Sequence, residues 1–200
     1  MAKNLQDEVV IDFEESGVKT PRFDEVKATQ LAGRLLKLRG TGRMHYLKLI
    51  KLMYLIDREA LVRWGWSMTG DRYVSMEHGQ VLSGTYDLIR DERFGDSYWK
   101  HFISPPLGEY EVKLVAEPEA NQLSDAEHGL IEEIYSKFGR KNRWWLRDYT
   151  HRLPEYRQTN GPSLDVDYAS VLKAANKSEA EIREILDDLE EIAVLEDLAI

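Results

Sequence analysis

The chain has 200 residues, of which 42% are hydrophobic and 32% charged, and a formal net charge of −9. This length fits one domain, or one domain with tails, and the composition supports an apolar core under a polar surface. The absence of cysteine excludes disulfide bonds, thiol nucleophiles and cysteine-ligated zinc. No apolar run reaches the ~20 residues of a membrane span, and the acidic N-terminus does not read as a secretory signal, so we predict a cytoplasmic protein without a membrane partner.

The charge is unevenly distributed along the chain. Residues 161–200 hold 11 acidic and 3 basic side chains, whereas residues 34–63 hold 8 basic and 2 acidic ones. Residues 137–157 form a second basic segment, with 7 basic and 2 acidic side chains. Two interpretations are open: the segments complement each other within the fold, or one of them faces a partner.

The N-terminal half begins with residues 1–22, whose short apolar alternation predicts an arm or a short strand before a domain spanning 23–200. Apolar residues spaced three and four apart then predict helices over 24–39 and 44–64, separated by a glycine-rich turn at 40–42. The second helix is apolar on most of its circumference, which is typical of a helix buried on most sides.

The middle of the chain mixes strands and a helix. A strand is predicted near 72–76, followed by a helix that ends near residue 91. Segments 97–103 and 109–115 alternate polar and apolar residues on either side of a Pro-Pro-Leu-Gly turn. This pattern predicts an antiparallel β-hairpin.

The C-terminal third is predicted to be helical. Capping-box sequences at Ser124 and Ser178 mark two helix starts. The predicted helices cover 125–138, 142–152, a short stretch at 167–174, and 179–198. We therefore predict a mainly α fold with a small antiparallel β-sheet (α+β), built as a single compact helical domain with one β-hairpin and an acidic last helix.

A motif-rich core occupies residues 47–88, where an apolar helix, a polar turn, a strand and a further helix follow one another. It contains the pattern KLxKLxYxxD at 48–57, GxxxTGDxY at 65–73 and a His-Gly step at 78–79. This order of residues resembles the SocA-like, or Panacea, antitoxin domain, and the resemblance extends over roughly residues 24–200. The sequence departs from that family at Gln80, where proline is usual.

The resemblance implies a protein that binds and neutralises a co-encoded protein toxin. Partner toxins in the family are diverse, and one member is an adaptor that delivers its toxin to a ClpXP-type protease, which is the first alternative function. The second alternative, suggested by the basic loop 39–43, is a nucleotide- or RNA-binding protein or an enzyme whose site is assembled only in the folded chain. The motif residues are expected to be structural rather than catalytic: Tyr54, Asp57, Gly70, Asp71, Tyr73, His78 and Gly79.

No catalytic, metal or cofactor site is predicted. None of the five histidines pairs at a metal-ligand spacing. Asp57 and Glu59 lie two positions apart and point in different directions on a helix, so we expect them to form salt bridges with Arg58, Arg63 or Arg72. The basic loop 39–43 lacks the Gly-Lys-Ser/Thr ending of a phosphate-binding loop, and it is interpreted as a plain turn, with anion contact as the alternative.

Basic and aromatic residues alternate in two stretches, which leaves core packing, a protein interface and nucleic-acid binding open. The sequence pI of about 5.1 argues against nucleic acid. The acidic face of the last helix is either solvated or presented to a basic partner. The candidate partner-binding residues are Lys48, Lys51, Arg58, Trp64, Trp66, Trp144, Trp145, Glu184, Asp187 and Asp188.

Overall fold

A computed structural model describes residues 19–90, 96–108, 110–119 and 121–199. The arm or strand predicted for the first 22 residues lies outside this part of the chain, apart from its last four residues. The fold class is confirmed: the structure is mainly helical and carries two small antiparallel sheets.

The elements alternate short strands with helices of very different length. The helices are α1 (Glu25–Leu38), α2 (Tyr46–Trp64), α3 (Ser83–Arg90), α4 (Tyr98–Phe102), α5 (Asp125–Phe138), α6 (Arg143–Thr150), α7 (Tyr168–Ala174) and α8 (Glu179–Leu198). The strands are β1 (Arg43–His45), β2 (Tyr73–Met76), β3 (Gly79–Leu82), β4 (Glu111–Lys113) and β5 (Leu164–Asp165).

Helix α2 is the central element, and it packs against α1, α5, α6, α7 and strand β3. It is buried on most sides, as its circumference of apolar residues predicts. The helix begins where the His45 ring accepts a hydrogen bond from Leu47 N–H (3.1 Å). It ends at Gly65, whose φ of 82° is left-handed and suits glycine.

Two sheets flank the helices. Strand β1 pairs antiparallel with β4, so the chain just before α2 is extended and the helix begins two residues later than predicted. In the second sheet β2 lies between β3 and β5. Strands β2 and β3 form a β-hairpin that the sequence did not predict, with Met76 opposite Gly79 across a two-residue turn.

The hairpin predicted for 97–103 and 109–115 is wrong. Residues 98–102 form helix α4, and β4 pairs with β1. Part of the predicted pairing remains in two isolated bridges, between Ile103 and Leu114 and between Leu107 and Glu111. A helix forms here instead of a strand because Trp99 and Ile103, four residues apart, are both buried, whereas His101 between them is exposed. A strand would have placed all three on one face.

The predicted C-terminal helices are confirmed, with small changes at their ends. Both capping boxes form: the Ser124 and Ser178 hydroxyls accept from the N–H groups of Glu127 and Glu181, whose carboxylates accept from the serine N–H groups. Helix α8 lays its apolar stripe on the core and on α7. Its outer face is acidic and exposed.

Candidate functional site

Asp57, on α2, holds the glycine-rich turn against the central helix. Its carboxylate is fully buried and accepts hydrogen bonds from the Ser67 hydroxyl (2.6 Å), Thr69 N–H (2.8 Å) and the Tyr73 hydroxyl (2.7 Å). Burial raises the pKa of this carboxyl, and the three donors act in the opposite direction. The GxxxTGDxY motif is thus a turn whose polar groups converge on the last residue of the helix motif.

Asp71 fixes the start of α3. One carboxylate oxygen accepts from Gly84 N–H (2.7 Å), and the other accepts from Thr85 N–H and the Thr85 hydroxyl (both 2.8 Å). The Tyr168 hydroxyl donates to the Asp71 carbonyl (3.1 Å), which ties α7 to the same turn. Burial raises the pKa of the Asp71 carboxyl to about 6, against an ordinary value of 3.8.

We expect Asp71→Asn to flatten the pH dependence of stability. In the folded protein Asp71 keeps its proton up to about pH 6, whereas the unfolded chain loses it near pH 4, so the folded state binds more protons between these values. The wild-type free energy of unfolding therefore falls as the pH rises across this window, by about 3 kcal/mol from this group. Urea unfolding at several pH values measures it, and Asp148→Asn, at an exposed surface position, should keep the wild-type slope. An unchanged slope in Asp71→Asn would contradict the assignment.

A buried ion pair involves Arg58, the residue that follows Asp57 on α2. The Arg58 guanidinium donates to both carboxylate oxygens of Glu155 (2.5 and 3.2 Å), and the Tyr54 hydroxyl donates to the first of them (3.0 Å). The side chain of Glu155 is 0% exposed and that of Arg58 13%. Burial raises the pKa of the Tyr54 phenol well above its ordinary value, and the neighbouring Glu155 raises it further. This cluster joins α2 to the segment after α6.

Lys51 is fully buried, and its ammonium donates to the Gln80 carbonyl (2.6 Å). Burial lowers the pKa of Lys51 well below its ordinary value. Gly79 has a left-handed φ of 84°, and a Cβ there would meet the Thr150 hydroxyl, the His151 ring and the Lys51 ammonium. The His-Gly step is therefore a close approach between the β2–β3 hairpin and α6, with His78 exposed at its tip.

Gln80, the departure from the motif, is buried in β3. Its amide is oriented by the hydrogen-bond network: the nitrogen donates to the Thr150 carbonyl (2.9 Å) and the oxygen accepts from Tyr156 N–H (3.2 Å). A proline side chain has no polar group that forms these bonds. At this position the chain replaces the stiffness of proline by two hydrogen bonds to α6 and the segment that follows it.

The two basic segments meet on the surface in one groove, with a volume of about 490 Å³. The basic groove is defined by six cationic side chains from the α1–α2 connection, the first turn of α2 and the start of α6: Arg39, Arg43, Lys48, Arg140, Lys141 and Arg143. One carboxylate, Glu111, also lines it. No local sequence pattern shows that the loop 39–43 and the 140–147 segment adjoin, so their proximity is visible only in the folded chain.

The tryptophans divide into two places. Trp64 and Trp66, with ring centroids 6.0 Å apart, line a groove of about 440 Å³ beside the buried end of the Lys27–Glu127 ion pair. Trp144 and Trp145 belong to α6, where Trp144 lies under the Arg143 and Arg147 guanidinium groups. Trp66 and Trp144 are 48% and 46% exposed, so both rings are accessible.

The candidate partner-binding residues therefore differ in accessibility. The side chains of Glu184, Asp187 and Asp188 are exposed on α8. Lys48 and Arg58 are half-buried, since Lys48 donates to the Gly139 carbonyl (2.6 Å) and Arg58 binds Glu155.

Two expectations need correction. The structure places Lys51 in the interior, which removes it from any surface available to a partner. The salt bridge predicted for Asp57 is also wrong, because its carboxylate is bonded to neutral donors in the core. Glu59 does pair with Arg63 (2.7 Å), as expected from their spacing of four residues.

The residue that sequence reasoning missed is Glu155. Nothing in its local sequence distinguishes it from a surface glutamate, since its partners lie about a hundred positions away. Within the described ranges, no group of three or more His, Asp or Glu side chains is arranged to hold a metal ion. In the same part of the chain, no helix combines the length and apolar character needed to cross a bilayer.

Comparison with known proteins gives one match. The sequence model of the family described as "Antitoxin SocA-like, Panacea domain" matches residues 49–156, just over half of the chain. The matched region runs from the apolar helix motif of α2 to the segment that carries Glu155, and so includes both buried clusters. No significant match was found among curated proteins or among solved structures.

Proposed function

The chain belongs to the SocA-like Panacea-domain antitoxin family, and from this premise we propose that it neutralises a co-encoded protein toxin by binding it directly. The observation that carries the proposal is the direction in which the motif's polar side chains point. Asp57, Asp71 and Glu155 each use both carboxylate oxygens in internal hydrogen bonds. Groups engaged in this way build the framework, which leaves partner recognition to the surface.

The exposed part of the surface offers the chemistry that protein interfaces use. Trp66 and Trp144 are large, accessible rings flanked by cations, and tryptophan and arginine dominate the binding energy of many interfaces. The acidic face of α8, with Glu184, Asp187 and Asp188, adds a second surface that would suit a basic partner. We propose the cytoplasm as the compartment in which this binding takes place.

The test is co-expression with the product of the adjacent gene. We expect that product alone to arrest growth, co-expression of this chain to restore growth, and the two proteins to copurify in a fixed ratio. A chain with Trp66→Ala should fold as the wild type does because the ring is half-exposed, and it should copurify with less of the toxin because the ring belongs to the proposed interface. Growth arrest that persists in the presence of the folded wild-type chain, together with failure to copurify, would refute the proposal.

The second candidate function is an adaptor that delivers the toxin to a ClpXP-type protease. It is favoured by Leu195 and Leu198 on the last turns of α8, which are 58% and 77% exposed and resemble an apolar docking element. The two functions predict different toxin lifetimes. Direct neutralisation leaves the toxin half-life the same in cells with and without the protease, whereas an adaptor shortens it only when the protease is present.

A further inference from the structure

The basic groove concentrates positive charge on a protein whose net charge is strongly negative. Its six cations are opposed by one lining carboxylate, whereas the whole chain carries a formal charge of −9. None of the six forms a salt bridge with a carboxylate within the described residues. Just upstream on α1, Arg34 and Lys37 do bind carboxylates, those of Glu132 and Glu117. The cations of α1 therefore form salt bridges within the chain, whereas those of the groove do not.

The backbone adds to the positive potential. Both α2 and α6 begin at the groove, and their capping residues, His45 and Asn142, line it. The N-terminal end of a helix carries a partial positive charge and favours anions. Two helices that begin at one place, together with six cations, make this the part of the described surface best suited to a negatively charged ligand.

Two features show that the cations are crowded and incompletely satisfied. Burial lowers the pKa of Lys48, and the neighbouring Arg39 lowers it further by repulsion. The Nε of Arg143 is buried and has no hydrogen-bond partner within the described residues. A ligand that carries carboxylates would relieve the repulsion between these cations.

The surroundings favour a short acidic protein segment over nucleic acid. The rings nearest the groove are partly covered, because Lys141 lies over Trp145 (4.8 Å) and Arg143 lies over the half-exposed ring of Trp144 (5.1 Å). Trp145 also stacks on Tyr149, with centroids 5.2 Å apart. Single-stranded nucleic acid binds largely by stacking its bases on accessible rings, whereas carboxylates need only cations and N–H groups.

We infer that the basic groove, built by Arg39, Arg43, Lys48, Arg140, Lys141 and Arg143, is the site that receives an acidic segment of the toxin. The inference rests on the proposed antitoxin function and names the surface through which it acts. The guanidinium groups bind aspartate and glutamate carboxylates in pairs, and the two helix starts hold the segment between them.

The test is charge reversal in the full-length chain. The variant Arg140→Glu with Arg143→Glu removes two cations, and its control Lys173→Glu removes an exposed cation on α7, away from both proposed surfaces. Thermal unfolding establishes that both are folded; a glutamate at position 143 is compatible with α6 because it is the first residue of that helix. We expect the groove variant to bind the copurified toxin about tenfold or more weakly, with loss of growth rescue, and the control to match the wild type.

A second measurement separates the groove from the function. Fluorescence anisotropy with labelled oligoglutamate peptide and, separately, labelled oligouridylate RNA probes the purified chain at low and moderate salt. We expect the peptide to bind the wild type and Lys173→Glu with an affinity that falls as salt is added. We expect its affinity for the groove variant to be about tenfold or more lower.

The outcomes distinguish the two claims. If the groove variant neutralises and binds the toxin like the wild type, the groove assignment is overturned and the antitoxin function stands. If no adjacent gene product binds the wild type but oligoglutamate binding is lost in the groove variant, the antitoxin function falls and the anion-binding groove stands. Tighter binding of the RNA than of the peptide would overturn the acidic segment as ligand, and binding of neither probe would do the same.

Discussion

Asp57→Ala is expected to lower the free energy of unfolding by about 4 kcal/mol, because it removes the acceptor of three donors at once, two of which are buried. The Ser67 and Tyr73 hydroxyls and Thr69 N–H all lose their partner at a position that is fully buried. An unpaired donor in the core costs its full desolvation energy, which exceeds the net value of the hydrogen bond itself. Urea unfolding monitored by tryptophan fluorescence measures the change.

The matched control for Asp57→Ala is Glu59→Ala, two residues along the same helix. Glu59 is half-exposed and pairs with Arg63 at the surface, so its removal should cost about 1 kcal/mol or less. Both variants remove an acidic side chain from the same helix, but the carboxylate of Asp57 is buried and that of Glu59 is half-exposed. Equal effects would mean that the turn is held by something other than Asp57.

Glu155→Ala should lower the free energy of unfolding by a similar amount, about 4 kcal/mol, for a different reason. It leaves the Arg58 guanidinium charged, 13% exposed and without its counter-ion, and it removes the acceptor of the Tyr54 hydroxyl. Breaking one half of a buried ion pair is costly because the remaining charge is not solvated. Thermal or urea unfolding detects the loss, and Asp148→Ala, which removes a surface partner of Arg147, should change stability by about 1 kcal/mol or less.

The double variant Arg58→Met with Glu155→Leu sharpens the argument. Replacing both charges by apolar side chains removes the unsolvated guanidinium, so the double variant should recover at least about half of the stability lost in Glu155→Ala. If the double variant is less stable than the single one, the loss comes from packing and not from the uncompensated charge.

Periodicity and capping chemistry made the helices predictable because both are local. The start of α8 at Ser178 and Glu181 follows from four consecutive residues, and the burial of α2 follows from its own apolar circumference. The 97–103 segment was mispredicted because polar alternation and a short helix with one buried side are indistinguishable over seven residues. The packing of Trp99 against α1 decides between them, and that contact lies far away in sequence.

The candidate site was predictable only in part, for the same reason. The motif marked Asp57, Asp71 and Tyr73 as structural, but their partners emerge only when the turn folds back on α2. The basic groove needs two segments about a hundred residues apart to adjoin, and an excess of cations in each is the only local sign. No feature of the local sequence identifies Glu155 as part of a buried cluster.

The inward direction of the motif's polar groups has a consequence for how such a protein changes over evolutionary time. The carboxylates of Asp57 and Asp71 bind donors from their own turn and from α3. Substitutions elsewhere on the surface therefore leave these hydrogen bonds in place. If the basic groove receives the partner, as proposed above, a new partner requires new side chains at the surface of the groove and no new interior. Specificity and foldability are inherited separately, and selection can act on one without endangering the other.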